Sequence, residues 1–131
     1  MLNRRGFVLG AATTVGATSV MAGEAARPAA VPAMSLNVVY PSHEGARFDK
    51  DYYRATHIPL VMKVMQATSV KLIEGVPNGS SAAPIVMIAH FEFASPEALQ
   101  AAFANPAMGE VRADIAKFTD IKPMVMVGRT S

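Results

Sequence analysis

The chain has 131 residues, no cysteine, three histidines, and twelve Lys and Arg against ten Asp and Glu. Setting aside Arg4 and Arg5, which precede a charge-free stretch, leaves ten cations facing ten anions. Zero net charge and no aromatic-studded basic patch argue against a nucleic-acid partner. The lack of cysteine excludes disulfide staples and lipoprotein acylation, so a single hydrophobic core, strengthened by dimerisation, has to hold the fold.

Residues 1–22 read as an export signal. Asn3-Arg4-Arg5-Gly6-Phe7-Val8-Leu9 opens it, a run rich in Gly, Ala and Thr follows, and Val20-Met21-Ala22 offers the small residues a signal peptidase accepts. The paired arginines resemble a twin-arginine signal, which places the protein in the periplasm or outside the cell. As a membrane anchor the run is too short and too poor in large apolar residues. Residues 23–34, with Pro28 and Pro32, have no periodicity and read as a flexible linker. One domain is expected over 35–131.

Leu36 to Tyr40 reads as a strand, and Pro41, Ser42 and Gly45 form the turn after it. Asp49 is suited to cap a helix over about 49–66, with Asp51 in the first turn where the helix dipole favours a carboxylate. Tyr53, His57, Leu60, Val61 and Val64 share one stripe of that helix, so His57 faces inward. Pro59 cannot donate to the Ala55 carbonyl and biases Ile58 away from helical angles, which predicts a kink or restart beside His57. Ser69 to Val76 and Ile85 to Ala94 read as the second and third strands, joined by the loop Pro77 to Pro84. The third strand is apolar on both faces: Met87, Ala89, Phe91 and Phe93 alternate with Val86, Ile88, His90 and Glu92. Ser95 and Pro96 start a helix to about Ala104. Asn105-Pro106 restarts it, and Met108, Val111, Ile115 and Phe118 stripe the continuation. Ile121 to Val127 is the last strand. This βαββαβ order predicts an α+β, ferredoxin-like sandwich. Its exposed apolar sheet face predicts a back-to-back homodimer.

His57 is the natural general acid or base, since its unperturbed pKa lies near neutrality. Tyr40, at the end of the first strand, can direct its hydroxyl into the same pocket, and Tyr53, one turn before His57, can orient its ring. Tyr52 points about 100° away and is expected to pack or reach solvent. Asp51 serves the helix dipole. His90 is expected to be an interface or core histidine bonded to a neighbour. Asp114 is expected to anchor its own helix by local hydrogen bonds, and Asp120 to occupy a turn. The histidines show no metal-ligand spacing, no Gly-x-Ser-x-Gly elbow or phosphate-cradling loop occurs, and the methionines read as soft core filling.

Tyr40-Pro41, Phe48-Asp49-x-x-Tyr52-Tyr53, Thr56-His57-x-Pro59-Leu60 and the stretch 113–120 before a last strand resemble the EthD family over about residues 35–131. The resemblance implies a dimeric α+β barrel with a pocket in each subunit between sheet and helices. It also implies an enzyme without metal or nucleotide cofactor acting on an apolar, oxygenated small molecule, with His57 moving a proton and Tyr40 or Tyr53 polarising or holding an oxygen. Isomerase, dehydratase or cyclase, and monooxygenase chemistry all occur on this superfold. The alternatives are a non-catalytic dimeric accessory protein of an oxidative pathway, and a haem protein with His57 as axial ligand.

Overall fold

In the first strand, β1 (Met34–Pro41), side chains alternate between two environments. Leu36 and Tyr40 are buried towards the helices, whereas Asn37 and Val39 face the other side and are only half-buried. The computed structural model describes residues 33–130. The export signal expected in 1–22, and the linker up to residue 32, lie outside the described residues.

The elements follow the expected βαββαβ order. After β1 comes a helical stretch in three segments: α1 (Lys50–Tyr52), the π-helical π1 (Tyr53–His57) and α2 (Ile58–Met65). Then follow β2 (Ser69–Glu74), β3 (Ile85–Phe93), α3 (Pro96–Ala104), α4 (Met108–Phe118) and β4 (Met124–Arg129). The strands form one antiparallel sheet in the order β2-β3-β1-β4. In its register Leu36 stands between Phe91 and Val127, and Val38 between Ala89 and Val125. Met87, Ala89, Phe91 and Phe93 are buried against the helices together with Tyr53, Val61, Val111 and Phe118.

Local signals explain the boundaries. The Asp49 side chain accepts from the Tyr52 N–H at 3.1 Å, and the Ser95 hydroxyl accepts from the Ala98 N–H at 3.1 Å, as expected of N-caps. Gln66 closes α2 in the left-handed region at φ 55°. Strand β2 ends two residues earlier than its sequence suggests, because Gly75 presses on the neighbouring strand: a Cβ there would lie 1.8 Å from the Ile85 carbonyl oxygen. Strand β4 starts at Met124 instead of Ile121, since Ile121 is buried with its N–H bonded to the Thr119 hydroxyl at 3.0 Å. Pro123, just before the strand, has no donor to give a ladder.

Two expectations hold only in part. The helix does restart beside His57, where the π segment gives way to α2 with Pro59 in its first turn, but Ile58 is not pushed from helical angles: it keeps φ −62° and ψ −44°, and its N–H bonds the Tyr53 carbonyl five residues back. The missing proline donor is absorbed by a π-turn. Nor do all the methionines fill the core. Met65, Met87 and Met108 do, but Met124 and Met126 are each 60% exposed on the sheet face away from the helices, where Ile73 is 49% exposed. Among the described residues no helix is long and apolar enough to cross a membrane.

Candidate active site

The site depends on joining the start of the first helical stretch to the end of α4, far apart in sequence. Segment 47–49 is stitched to segment 118–120. The Asp49 N–H donates to the Phe118 carbonyl at 2.7 Å, the Thr119 hydroxyl donates to the Arg47 carbonyl at 2.6 Å, and the Arg47 N–H donates to Asp120 Oδ1 at 2.9 Å. Asp120 thus holds a turn, as its sequence position suggests. With the two ends fastened, α4 lies alongside π1 and brings Asp114 to His57.

His57 is 3% exposed and donates from Nδ1 to Asp114 Oδ2 at 2.9 Å. The other oxygen of Asp114, Oδ1, accepts from the Tyr52 hydroxyl at 2.7 Å. The expectation for Asp114 is overturned: its hydrogen bonds go to another helical segment, and on its own helix only the Lys117 ammonium stands near, at 3.8 Å. Tyr52 packs as expected, its ring stacked on Phe118 at 6.4 Å, and in addition directs its hydroxyl at that carboxylate. Pattern reading misses the arrangement because it looks for acid partners at helical spacing, whereas this pair is 57 residues apart in sequence. The available signal was an aspartate on the apolar stripe of an amphipathic helix, one residue from Ile115, where a charge needs a partner.

Burial pushes the His57 imidazole below its ordinary pKa, with the Asp114 bond pulling the other way. Burial would raise the Asp114 carboxyl, but hydrogen bonds from Tyr52 and His57, with the Lys117 ammonium 3.8 Å away, outweigh it and hold the carboxyl below the usual range. The pair at neutral pH is thus a neutral imidazole and a carboxylate. With its proton fixed on Nδ1 by the acceptor, the imidazole presents Nε2 as a base. No hydrogen bond engages Nε2 among the described residues.

His57, Tyr40 and Tyr53 all line one cavity of about 150 Å³ between sheet and helices. The sequence-predicted trio is therefore brought together. The Tyr53 ring stacks on His57 at 5.6 Å and 20°, the orienting contact expected of it, and Phe118 packs against both rings, 4.6 Å from the imidazole and 5.0 Å from Tyr53. Tyr40 meets Tyr53 edge-on at 5.7 Å. Burial pushes both phenols far above their ordinary pKa, so both are neutral hydroxyls; the nearby Tyr40 adds to the rise at Tyr53. Among the described residues the Tyr53 hydroxyl is fully buried and makes no hydrogen bond of good geometry, with the Tyr40 hydroxyl as its polar neighbour. Such a group costs free energy unless something meets it. The rest of the lining is apolar except Arg112 at the rim.

His90 lies on the opposite sheet face. There Nδ1 approaches Asn37 Oδ1 at 2.7 Å and Nε2 approaches Glu92 Oε2 at 3.1 Å, so it is bonded to neighbours as expected and takes no part in the cavity. Asp51 remains exposed in the first helical turn. A haem does not fit the cavity: about 150 Å³ accommodates a single benzene-sized ring, far less than a macrocycle.

Residues 44–122 match the EthD domain family. The chain belongs to that family. Its fold is shared with an EthD-like protein from Ralstonia eutropha JMP134, 29% identical, with a TM-score of 0.69 over 75% of this chain and 91% of that one. An ethyl tert-butyl ether D (EthD) family protein from Bacillus halodurans C-125 is 21% identical, with a TM-score of 0.61 over 76% of this chain and 99% of that one. No curated protein matches the chain. The EthD assignment covers the His57 segment and Asp114 alike, so the dyad lies inside the family domain.

Proposed function

We propose that this EthD-family protein is an enzyme that moves a proton on an apolar, oxygenated small molecule, using only its own side chains. The buried His57–Asp114 pair beside an apolar cavity carries the reading. In the proposed step, His57 Nε2 takes a proton from a carbon next to a carbonyl. The C–H electron pair becomes the new C=C bond, and the carbonyl π pair moves onto oxygen, where the Tyr53 hydroxyl donates to it. Asp114 steadies the imidazolium. On a β,γ-unsaturated substrate, returning that proton from the imidazolium to the γ carbon completes an isomerisation without oxidant or reductant; on a β-hydroxy substrate the imidazolium instead gives it to the departing β-hydroxyl, which leaves as water and completes a dehydration. Tyr40 packs Tyr53 in place. The apolar lining supplies binding by burial and excludes water from the proton-transfer path.

The same reading includes two features of the whole protein. At one end of the outer sheet face Met124, Val39, Ile88 and Ile73 form an apolar row across all four strands, with exposed Met126 beside it, where a solvated antiparallel face would be polar. We place a second copy of the chain there. Residues 1–22 would send the protein through the twin-arginine route to the periplasm or beyond.

The enzyme reading is tested by incubating the protein in D₂O with a panel of lactones, phenols and β-dicarbonyl compounds, following deuterium entry at carbon by NMR. Wild type should accelerate exchange in at least one member, and His57→Gln should lose most of that acceleration. Exchange that His57→Gln leaves intact defeats the proposal. Tight binding without any exchange replaces it with a binding or accessory role.

A further inference from the structure

The geometry points to a carboxylate on the ligand, held by Arg112 at the mouth of the cavity. The inference rests on the cavity of the proposed enzyme site but uses a different residue and a different property. On α4, Met108, Arg112 and Ile115 fall at i, i+4 and i+7, one continuous stripe, and all three line the cavity. The middle position of a cavity-facing stripe thus carries a guanidinium where an aliphatic side chain would fill space better. Its stem can run along the apolar wall while its head stays at the rim in water.

Among the described residues Arg112 has no ion-pair partner, and no Asp or Glu lines the cavity. Asp114 is committed to His57 and Tyr52, and Glu110 borders a separate depression with Leu60 and Lys117. The other lining residues that reach the surface include Phe103 and Val125, both exposed, and Pro123, half-buried, all uncharged. A planar fork of donors above an apolar, ring-sized hollow is complementary to a planar carboxylate on a small hydrophobic body. The ligand class is therefore a monocyclic or similarly compact organic acid. Its apolar body enters the cavity, its reactive oxygen meets Tyr53, and its carboxylate stays at the rim.

Benzoate and its neutral counterpart benzamide serve as probes, with binding followed by NMR shifts of the Val111 and Ile115 methyl groups. Wild type should bind benzoate about tenfold more tightly than benzamide, as one charge-assisted contact at a wet rim allows, with the preference shrinking at high salt. Arg112→Gln should abolish the preference while leaving benzamide binding unchanged, which also reports an intact cavity; Arg112→Lys should keep part of it. His57→Gln should retain the preference even where it stops proton exchange, so failure of the enzyme reading and failure of the anchor are told apart. Equal affinity for the two probes in wild type, a preference that survives in Arg112→Gln, or no cavity response to either probe overturns the anchor.

Discussion

Replacing Asp114 by Asn keeps the shape of the side chain and removes its charge. The carboxylate accepts two hydrogen bonds, from His57 Nδ1–H at 2.9 Å and from the Tyr52 hydroxyl at 2.7 Å. An amide puts an acceptor oxygen at one of these two positions and a donor NH₂ at the other, so it cannot accept at both. In the arrangement closest to the native one, its oxygen accepts from His57 and its NH₂ donates to a Tyr52 hydroxyl that has turned to accept. Only the difference between a charged and a neutral hydrogen bond is then lost, about 1–2 kcal/mol. For a domain of this size that lowers Tm by roughly 4–16 °C. The effect on catalysis is larger, because the imidazolium formed in the reaction loses its counter-charge: about 10²- to 10⁴-fold in rate.

The pH dependence separates this account from simple damage. Proton abstraction needs neutral His57, so the rate falls on the acid side as the imidazole protonates. Burial lowers its pKa below the ordinary value and Asp114 raises it. The acid limb of the wild type therefore lies below about pH 6.5, and in Asp114→Asn it moves further down. Stability follows the same sign. An unfolded His57 takes up a proton below about pH 6.5 that the folded one resists, so stability drops as pH falls from there to the folded pKa. In the variant that fall extends to lower pH. The assay is the titration of the histidine ring protons by NMR, which needs no substrate, alongside deuterium exchange on whichever panel compound the enzyme turns over. If His57 titrates at the same or a higher pH in Asp114→Asn, the carboxylate is not its partner and the reasoning is wrong.

Tyr53→Phe deletes a buried hydroxyl that makes no hydrogen bond of good geometry, so Tm should rise or hold, by up to about 1–3 kcal/mol of stability, while exchange activity falls; a clear drop in Tm would mean the hydroxyl is already satisfied. Ile88→Asp on the outer sheet face should give a folded monomer in sedimentation, whereas Met87→Asp on the helix-facing side should abolish folding by circular dichroism, because a carboxylate buried without a partner costs several kcal/mol. A wild type that sediments as a monomer removes the dimer. Deleting the exposed Ala55 should convert the π-turn to regular helix and leave the protein folded, but uncouple His57 from Asp114 and so shift its titration; unchanged titration would show that the π-turn does not position the imidazole. Changing Arg4 and Arg5 to lysines should hold the precursor in the cytoplasm, read by fractionation, since the twin-arginine route depends on the guanidinium pair; normal export points to the general secretory route.

The fold was legible because its signals are local. Asp49 and Ser95 cap helices as their chemistry dictates, and β3 alternates along its length, so the βαββαβ order follows from periodicity alone. The cavity trio was half legible. Helical spacing puts Tyr53 and His57 on one stripe, but that Tyr40 joins them follows from β1 lying at the sheet centre between β3 and β4. For Asp114 the sequence signals only that a carboxylate on an apolar stripe needs a partner; which partner was out of reach, since His57 and Tyr52 lie in another helical stretch. The methionines of β4 were misread for a related reason: an apolar strand looks the same whether a helix or a second molecule covers it.

Pro59 ties these threads together. A proline inside a helix leaves one carbonyl without its donor, and the expected response is a kink. Here the bond from Ile58 reaches back five residues to Tyr53, and the π-turn accommodates an extra residue without bending Ile58 out of helical angles. One added residue rotates everything before it by about 100° relative to a regular helix. That rotation lets consecutive tyrosines divide their work: Tyr53 turns inward to stack on His57 beneath the cavity, and Tyr52 reaches around to the Asp114 carboxylate that holds the same imidazole. The π-turn is therefore tied to the dyad itself, and the proline that looks like a helix breaker in the sequence is part of how His57 comes to be gripped from two sides.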